Sequence, residues 1–469
     1  MASLNMQPRI IISALKGGSG KTIVSLGLAS VWKEEGRRVA PFKKGPDFID
    51  SGWLHFAADS KCYNLDPFLM TQEQILHSFI SRSAGADISI IEGNRGLFDG
   101  LDIDGCCSTA ELARLLETPV LIILDVSMAT RTIAAVVKGC QTFDPELNIA
   151  GVILNRVAGS RQENLIRGAI EKYCGLPVVG SIPKLRNNPF PERHMGLVPH
   201  QERKHAEKAI SWAEKVVREN LDLSRIFEIA LSAGPVPNGP EIKETRSVFT
   251  KNRERPRIGF IKDSAFWFYY PENLEQLEDL GAELVLINAI TDKRLPEIDA
   301  LYIGGGFPET QAKALSDNKE FRNSLKENIE LGLPVYAECG GFMYLGERLL
   351  LDDGAYPMTG ALPVEFMLHK KPKGHGYTIL QVKNPNPYFP VDVILKGHEF
   401  HYSEPILTRK TSINFAFRVN RGHGIDKTVD GMMKNNVLAT YTHIHAAGNP
   451  DWAKSMIRMA ARHKKDSSA

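Results

Sequence analysis

The fold of the first half of the chain is decided by one stretch, Ile10-Ile-Ile-Ser-Ala-Leu-Lys-Gly-Gly-Ser-Gly-Lys-Thr22. It reads as a short buried strand, a glycine-rich loop and the first residues of a helix, which is the context of a phosphate-binding loop. The loop departs from the G-x-x-x-x-G-K-[ST] pattern, because Leu15 stands in place of the first glycine. The glycines still allow backbone N–H groups to wrap an anion, and the helix N-terminus adds its positive end. The predicted nucleotide-binding residues are Lys16, Gly17, Gly18, Ser19, Gly20, Lys21 and Thr22.

Short apolar runs alternate with helix-length segments on both sides of this loop. Such alternation predicts an α/β fold with buried parallel strands. In the first half the predicted strands are Ile10–Ser13, Val39–Phe42, Ile88–Ile91, Val120–Leu124 and Gly151–Leu154. In the second half they are Arg257–Ile261, Leu284–Ile287, Ala300–Ile303 and Val335–Ala337. A proline-containing, then charged, stretch separates the halves, so we predict domains at 1–232 and 257–469 joined by a linker at 233–256.

Composition narrows the class of protein. The chain has 469 residues, 43% hydrophobic and 24% charged, with 57 Lys+Arg against 55 Asp+Glu and a net charge of +2. These values are typical of a soluble globular protein and do not predict a nucleic-acid-coating or membrane-surface protein. No apolar run approaches the roughly 20 residues of a membrane span. Six cysteines without a C-x-x-C spacing indicate the reducing cytoplasm rather than a disulfide framework.

Charged residues follow the second predicted strand. Lys43, Asp47 and Asp50 come after Val39–Phe42, where parallel strands present their carboxyl ends to ligands. A solvated charged loop is the alternative interpretation of this segment.

Two acids follow the third predicted strand. Glu92 ends a buried strand, where a carboxylate is costly unless it is paired or bound to metal, so beside a phosphate loop we predict a Mg²⁺ ligand. Asp99 is the next acid, and it could equally form an Asp-Gly turn. Asn155 follows the fifth predicted strand and could read adenine through its amide, although asparagine there is also a common turn residue.

The second half contains the pattern of a thiol nucleophile. Cys339 stands between the strand Val335–Ala337 and a glycine pair that opens a helix, which predicts an exposed nucleophile at a sharp turn whose dipoles favour thiolate. Gly304, Gly305 and Gly306 follow another strand and could supply oxyanion-hole N–H groups. A base is also needed, and from the residues alone either His443 or His445 on one predicted strand face could serve.

Taken together, these stretches resemble the cobyrinic acid a,c-diamide synthase family over nearly the whole chain. The first half is similar to the dethiobiotin-synthetase-like P-loop group and the second to a class I glutamine amidotransferase of flavodoxin-like, open-sheet architecture. The motifs that carry the resemblance are Lys16–Thr22, Phe42–Asp50, Glu92–Gly100, Asp263–Asn273, Gly304–Glu309, Ala337–Gly341, Gly374–Tyr377, Gly397–Ser403 and Tyr441–His445.

The resemblance implies an ATP-dependent ligase that amidates the a- and c-acetates of a corrinoid through acyl phosphates, with L-glutamine as nitrogen donor and Mg²⁺ as cofactor. It implies that Asp47 and Glu92, with Thr22, serve Mg²⁺ or the activated carboxylate, and that Asp99 lies near the corrinoid carboxylates. Lys43 and Asp50 become candidate substrate-binding residues. Cys339 would attack glutamine with His443 as its base. Other class I branches place a glutamate two residues after that histidine, but here the position is His445, so the third member of the constellation stays open.

Several alternatives remain. The same chemistry on hydrogenobyrinate or nickel sirohydrochlorin fits these motifs, whereas the pattern of cobyric acid synthases differs at Gly397–Ser403 and Tyr441–His445. A deviant-Walker partitioning ATPase would be a different class, and the Cys339 segment argues against it. The partner expected from the sequence is therefore a small tetrapyrrole, with no nucleic acid and no membrane. The oligomeric state stays open, with a homodimer as one candidate.

Overall fold

The computed structural model describes residues 7–185, 189–190, 192–193, 196–197, 203–237, 255–409 and 413–467. The chain divides into two compact units, Met1–Ile242 and Lys243–Ala469. The division falls within the predicted linker 233–256, of which residues 238–254 lie outside the described residues.

The first unit is built on a parallel sheet of seven described strands in the order β3-β2-β4-β1-β5-β6-β7. They are β1 (Arg9–Ala14), β2 (Val39–Lys44), β3 (Tyr63–Leu65), β4 (Ile88–Glu92), β5 (Val120–Asp125), β6 (Ile149–Val157) and β7 (Val178–Pro183). A separate small pair is formed by β8 (Glu192–Arg193) and β9 (Gly196–Leu197). The predicted parallel sheet is confirmed, and among the strands that the structure describes in this unit the sequence missed β3, β7 and this small pair.

Helices connect these strands. They are α1 (Lys21–Glu34), α2 (Phe48–Ala58), α3 (Gln72–Ser83), α4 (Thr109–Leu115), α5 (Thr132–Phe143), α6 (Ser160–Cys174), α7 (Arg203–Asn220) and α8 (Leu223–Leu231). Because β1 lies between β4 and β5, with β2 beyond β4, the loops after β1, β2 and β4 share the carboxyl edge of the sheet. The fold thereby brings the phosphate loop next to Lys43 and Glu92.

The second unit contains a mixed sheet of ten described strands in the order β12-β10-β13-β15-β24-β23-β22-β19-β20-β25. Its members, and the strands of two smaller sheets, are β10 (Arg257–Ile261), β11 (Phe266–Phe268), β12 (Glu283–Ile287), β13 (Ala300–Ile303), β14 (Gly305–Gly306), β15 (Val335–Glu338), β16 (Arg348–Leu351), β17 (Gly354–Pro357), β18 (Val364–Leu368), β19 (Gly374–Val382), β20 (Ile394–His401), β21 (Ser403–Leu407), β22 (Asn414–Arg421), β23 (Val429–Lys434), β24 (Val437–Thr440) and β25 (His443–Ile444). The helices are α9 (Pro271–Asp279), α10 (Ala312–Asp317), α11 (Lys319–Glu330), α12 (Gly340–Leu345) and α13 (Pro450–Ser467), with a 3₁₀ turn at Pro308–Gln311.

The α/β class predicted for the second unit is confirmed, but its sheet extends beyond the predicted parallel strands. The strands from β12 to β24 are parallel, and the remainder continues antiparallel through β23, β22, β19, β20 and β25. The antiparallel strands alternate buried and partly exposed residues, as in β19, so they lack the continuous apolar runs that marked the parallel strands. Among the described residues no helix combines the length and apolar character needed to cross a membrane.

Candidate active sites

The loop between β1 and α1 has the conformation expected of a phosphate-binding loop. Gly20 adopts φ +101° at the start of α1, a left-handed conformation that favours glycine. The Lys21 ammonium folds back over the loop and donates to the carbonyl oxygens of Lys16 (3.2 Å) and Arg95 (2.7 Å), while Ser19 Oγ donates to Lys16 O. Burial lowers the pKa of Lys21, and the nearby carboxylate of Glu92 acts in the opposite direction. The Lys21 ammonium thus bonds to the phosphate-binding loop and to the loop that follows β4.

Asn155 braces this loop from β6. Its amide nitrogen donates to Ser19 O at 2.8 Å, and its amide oxygen accepts from the backbone N–H of Arg156 at 2.8 Å. A methyl group on Gly20 would lie 2.6 Å from that amide nitrogen, so the close approach also requires glycine. Both ends of the Asn155 amide therefore bond to backbone groups of the protein. Adenine recognition by Asn155 stays a prediction.

A cavity of about 540 Å³ opens beside the loop, within the size range of small-molecule sites. Aromatic residues that the sequence analysis did not select contribute to it: Phe190 packs edge-on against Trp212 of α7, with ring centroids 6.0 Å apart. The lining residues are Gly18, Gly20, Lys21, Thr22, Ile23, Ser127, Asn155, Arg156, Lys184, Leu185, Phe190 and Trp212. A nucleotide base fits the chemistry of this mixed aromatic and polar wall.

Glu92 lies fully buried at the end of β4, next to the phosphate loop. Its Oε1 accepts from Thr22 Oγ1 at 2.8 Å and from Lys43 Nζ at 3.0 Å. Its Oε2 is buried without a hydrogen-bond partner. An unsatisfied buried carboxylate oxygen costs free energy that a metal ion would offset, and Mg²⁺ prefers carboxylate and hydroxyl oxygens. The residues present therefore fit the predicted Mg²⁺ site.

Lys43 joins the acids that follow β2 and β4. Its ammonium pairs with Asp50 at 2.6 Å as well as with Glu92. Burial alone would lower the pKa of Lys43, but Asp50 and Glu92 raise it, so the ammonium stays charged. Asp47 caps α2 by accepting from the N–H groups of Ile49 and Asp50 at 2.8 and 2.9 Å. Burial, with the charge of Asp50, raises the pKa of Asp47 to about 6.

Asp99 is held in a turn over the phosphate loop. Its Oδ2 accepts from the Gly96 N–H at 2.8 Å, and its place near the corrinoid carboxylates stays a prediction. The surrounding loop is tied to β1, since the Leu97 N–H donates to Ala14 O at 2.7 Å. The Asp99 carboxylate is close enough to Lys21 to act on its pKa. The structure thus brings all the predicted residues of the first unit to one edge of its sheet.

Cys339 occupies the sharp turn between β15 and α12, as predicted. It adopts φ +46°, ψ −99°, a costly conformation for a non-glycine residue that often marks functional sites. Gly341 is sterically required, because a methyl group there would lie 2.5 Å from Ile303 O, and Gly340 is tightly packed, with a methyl group 3.0 Å from Gly306 N. The turn therefore packs directly against the glycine loop that follows β13.

Two expectations about the thiol were wrong. The sequence predicted an exposed nucleophile, but Cys339 is only 3% exposed. The antiparallel strand β20 covers it, and its thiol contacts Phe400 O at 3.7 Å. Burial, reinforced by the charge of Glu309, raises the pKa of Cys339 above the ordinary thiol value. The Gly340 N–H acts in the predicted direction but is outweighed. A raised pKa favours the protonated thiol at rest, so the proposed attack on glutamine needs a base to take the thiol proton.

The glycine loop is held by the Asp263–Asn273 segment. Tyr269 Oη accepts from the Gly304 N–H at 2.8 Å, so that donor already has a partner. Gly305 and Gly306 form β14, which pairs with β11. The oxyanion-hole role of the three glycines stays a prediction, and Gly306 lies against Gly340, the residue after the nucleophile.

The two candidate histidines have different surroundings. His443 Nδ1 lies 3.3 Å from Glu338 Oε2, and its ring stacks on His398 with centroids 5.0 Å apart. His445 Nε2 lies 3.6 Å from Glu272 Oε1. Strand β25 ends at Ile444, so the prediction that both histidines share one strand face was wrong.

Glu338 was missed by the sequence reasoning. It ends the buried strand β15 directly before Cys339, which is the same signal that selected Glu92. Asn273 was also missed as an anchor: it accepts from the Ala446 N–H at 2.7 Å and donates to Ile444 O at 2.9 Å, which fixes the segment that carries both histidines.

These features define a class of enzyme with a P-loop nucleotide-binding unit and a thiol glutaminase unit. Residues 10–198 match the model of the CobQ/CobB/MinD/ParA nucleotide binding domain, and residues 257–451 match that of the CobB/CobQ-like glutamine amidotransferase domain.

Curated relatives extend the similarity over almost the whole chain. The cobyrinate a,c-diamide synthase of Magnetococcus marinus is 41% identical over 96% of this chain and 97% of its own length. The cobyrinate a,c-diamide synthase of Archaeoglobus fulgidus is 40% identical over 97% of this chain and 98% of its own length. That of Leptospira interrogans serovar copenhageni is 36% identical over 97% of this chain and 99% of its own length. The chain belongs to the cobyrinate a,c-diamide synthase family, as its motifs predicted.

Proposed function

We propose that the chain is an ATP-dependent, glutamine-hydrolysing synthase that amidates the a- and c-acetate carboxylates of cobyrinate in cobalamin biosynthesis. The observation that carries the reaction type is the presence, in one chain, of two features: a phosphate loop beside the unpartnered oxygen of Glu92, and a strained turn at Cys339 whose preceding residue, Glu338, contacts His443. The similarity to cobyrinate a,c-diamide synthases over nearly their full lengths supports the substrate.

The first unit would activate the carboxylate. A carboxylate resists amidation at neutral pH because its charge repels nucleophiles and oxide is a poor leaving group. Attack of a substrate carboxylate oxygen on the γ-phosphorus of ATP forms an acyl phosphate and releases ADP. Lys21 and the loop N–H groups bind the phosphates and stabilise the charge on the transferred group. Thr22, Glu92 and Asp47 would hold Mg²⁺, which supplies charge neutralisation at the phosphates when bound.

The second unit would release ammonia. The Cys339 sulfur attacks the side-chain amide carbon of glutamine while its proton passes to His443. The carbon–nitrogen bond then breaks, His443 returns the proton to the leaving ammonia, and water hydrolyses the thioester to glutamate. Ammonia displaces phosphate from the acyl phosphate in the first unit. Local release is useful because free ammonia is mostly ammonium at neutral pH.

A substrate panel tests the proposal. Cobyrinate, hydrogenobyrinate and nickel sirohydrochlorin are each incubated with ATP, Mg²⁺ and glutamine, and mass spectrometry counts the amides formed. We expect two amides on cobyrinate, with one ADP and one glutamate for each. Preferred turnover of another tetrapyrrole would change the substrate, and amidation of none, with intact glutaminase, would overturn the ligase assignment.

A further inference from the structure

We propose that Glu338 is the positioning carboxylate of the thiol site and fixes the ring of His443 through Nδ1. The inference rests on the proposed role of His443 as base. It assigns the constellation's third member to the residue directly before the nucleophile, so one strand end supplies both the acid and the thiol. Glu338 and His443 are each about 1% exposed, and the atoms that face one another, Oε2 and Nδ1, lie 3.3 Å apart.

Glu338 is itself held in place at both oxygens. Its Oε2 accepts from Tyr302 Oη at 3.0 Å, and its Oε1 accepts from the Ile444 N–H at 3.2 Å. Burial raises the pKa of Tyr302 well above its ordinary value, so the phenol remains a hydrogen-bond donor at any working pH. The Ile444 contact comes from the residue next to His443, which locks the carboxylate to the same backbone that carries the imidazole. A carboxylate with two fixed donors can orient a third group accurately.

The other ring nitrogen of His443 faces the glycine loop. A methyl group placed on Gly305 would overlap His443 Cε1 and lie 3.1 Å from Nε2. The same loop contacts the nucleophile turn, because a methyl group on Gly340 would lie 3.0 Å from Gly306 N. Thus Nδ1 is directed at Glu338 and Nε2 at the side where the thiol turn and the glycine loop meet.

The neighbouring acids are engaged elsewhere. Glu272 lies beside His445, and the rings of Tyr270 and His445 pack with centroids 4.7 Å apart. Glu399 pairs with His401 at 3.6 Å and accepts from the Gly424 N–H at 2.8 Å. The geometry therefore selects Glu338 as the acid for His443 and leaves Glu272 as a matched acid–histidine pair outside the proposed chemistry.

The role of Glu338 follows from which ring nitrogen of His443 carries hydrogen at each step. With Nδ1–H donated to Glu338, the Nε2 lone pair accepts the Cys339 proton as the carbon–sulfur bond forms. The carboxylate stabilises the imidazolium without taking a proton itself, and Nε2–H then protonates the departing ammonia. Without the carboxylate the ring can adopt the other tautomer, in which Nε2 carries hydrogen and cannot act as the base.

The test compares Glu338→Gln with Glu272→Gln in the full-length chain. Glutamate release from glutamine is measured without tetrapyrrole, so a wild-type chain that lacks glutaminase refutes the proposed function, not this inference alone. We expect Glu338→Gln to lower the glutaminase kcat by about 10²- to 10⁴-fold, the range of a lost base or tautomer control, with little change in KM. Glu338→Asp should recover part of the loss, and Glu272→Gln should stay within about threefold, as for an acid that only packs near the site.

Two readouts separate positioning from a structural role. The residual glutaminase of Glu338→Gln should have the acid limb of its pH profile displaced to lower pH, because the imidazolium loses its stabilising carboxylate while the neutral ring is the base. The low-field proton signal of the His443 Nδ1–H in the wild type should be absent from Glu338→Gln but present in Glu272→Gln. Ammonium-driven amidation should be unchanged. Near-normal glutaminase in Glu338→Gln, or equal losses in both variants, would overturn the inference. If Glu338→Gln does not fold, the wild-type proton signal and Glu338→Asp decide, and absence of the signal refutes the contact.

Discussion

Glu92 and Glu338 are alike in position and unlike in their partners. Each is a fully or almost fully buried carboxylate at the end of a strand that is buried throughout, one in each unit. Both oxygens of Glu338 have protein donors, whereas Glu92 keeps Oε2 unpartnered. The two residues therefore suit different roles: the unpartnered oxygen of Glu92 fits an external cation, whereas the two held oxygens of Glu338 fit a carboxylate that orients a neighbouring side chain.

The largest effect is expected from a substitution that inactivates only the second unit. Cys339→Ser should lower glutamine-dependent amidation by at least about 10³-fold, because a hydroxyl in this turn is a far weaker nucleophile than a thiol assisted by imidazole. Amidation driven by high ammonium at alkaline pH should continue. Product analysis with each nitrogen source measures both. Loss of the ammonium-driven reaction in a folded variant would show that the two sites are not separable.

The histidine pair gives the next largest contrast. His443→Asn should nearly eliminate glutaminase, on the order of 10²- to 10⁴-fold, since proton transfer to and from the substrate requires the imidazole. His445→Asn should cost less than about tenfold, because that side chain packs with Glu272 and Tyr270 and loss of its contacts mainly affects stability. Glutamate release at saturating glutamine distinguishes them. Equal losses would mean that the base is wrongly assigned.

The phosphate loop supplies a prediction for the first unit. Lys21→Ala should lower kcat for amidation by at least about 100-fold, the scale of a lost electrostatic donor in a water-poor site. Ammonium should not rescue it, whereas glutaminase should persist. ADP formation is the measurement. Turnover close to that of the wild type would show that the loop is a structural turn without a role in phosphate binding.

The smallest effect concerns the resting thiol. Because burial raises the pKa of Cys339, its thiolate fraction should still be increasing above pH 9, where an ordinary cysteine is mostly ionised. Alkylation of Cys339 by iodoacetamide should therefore reach half its limiting rate above pH 9. Peptide mass spectrometry locates the modification and separates it from that of the exposed Cys106. A half-maximal rate below pH 8 would indicate a resting thiolate–imidazolium pair instead.

Sequence reasoning succeeded where one segment contains its own signal. The phosphate loop, the parallel strands with continuous apolar runs, such as β1, β4 and β5, and the Cys339 turn each depend on a local pattern of glycines or apolar residues, so they were predicted with nearly their observed bounds. The antiparallel strands were missed because half-exposed strands such as β19 give a weak apolar pattern. Burial of Cys339 was missed because it depends on β20, which is remote in sequence.

The site was incompletely predicted for the same reason. Glu338 meets His443 across 105 residues of sequence, and no spacing rule within one motif predicts that contact. The nucleotide-binding role of Asn155 stays a prediction, and its bond to Ser19, which spans 136 residues, required the three-dimensional fold. Long-range pairings between strand ends were therefore accessible only from the structure.

A paired assay of Glu92→Gln and Glu338→Gln tests most directly whether the two strand-end carboxylates have separate roles. For each variant, glutamate release and ammonium-driven amidation are measured separately at several Mg²⁺ concentrations. We predict a reciprocal pattern: Glu92→Gln loses amidation by at least about 100-fold with a weakened Mg²⁺ dependence and keeps glutaminase, whereas Glu338→Gln loses glutaminase and keeps amidation. Loss of both activities in both variants, or of the same activity in each, would contradict the assignment of one strand-end carboxylate to metal and the other to imidazole.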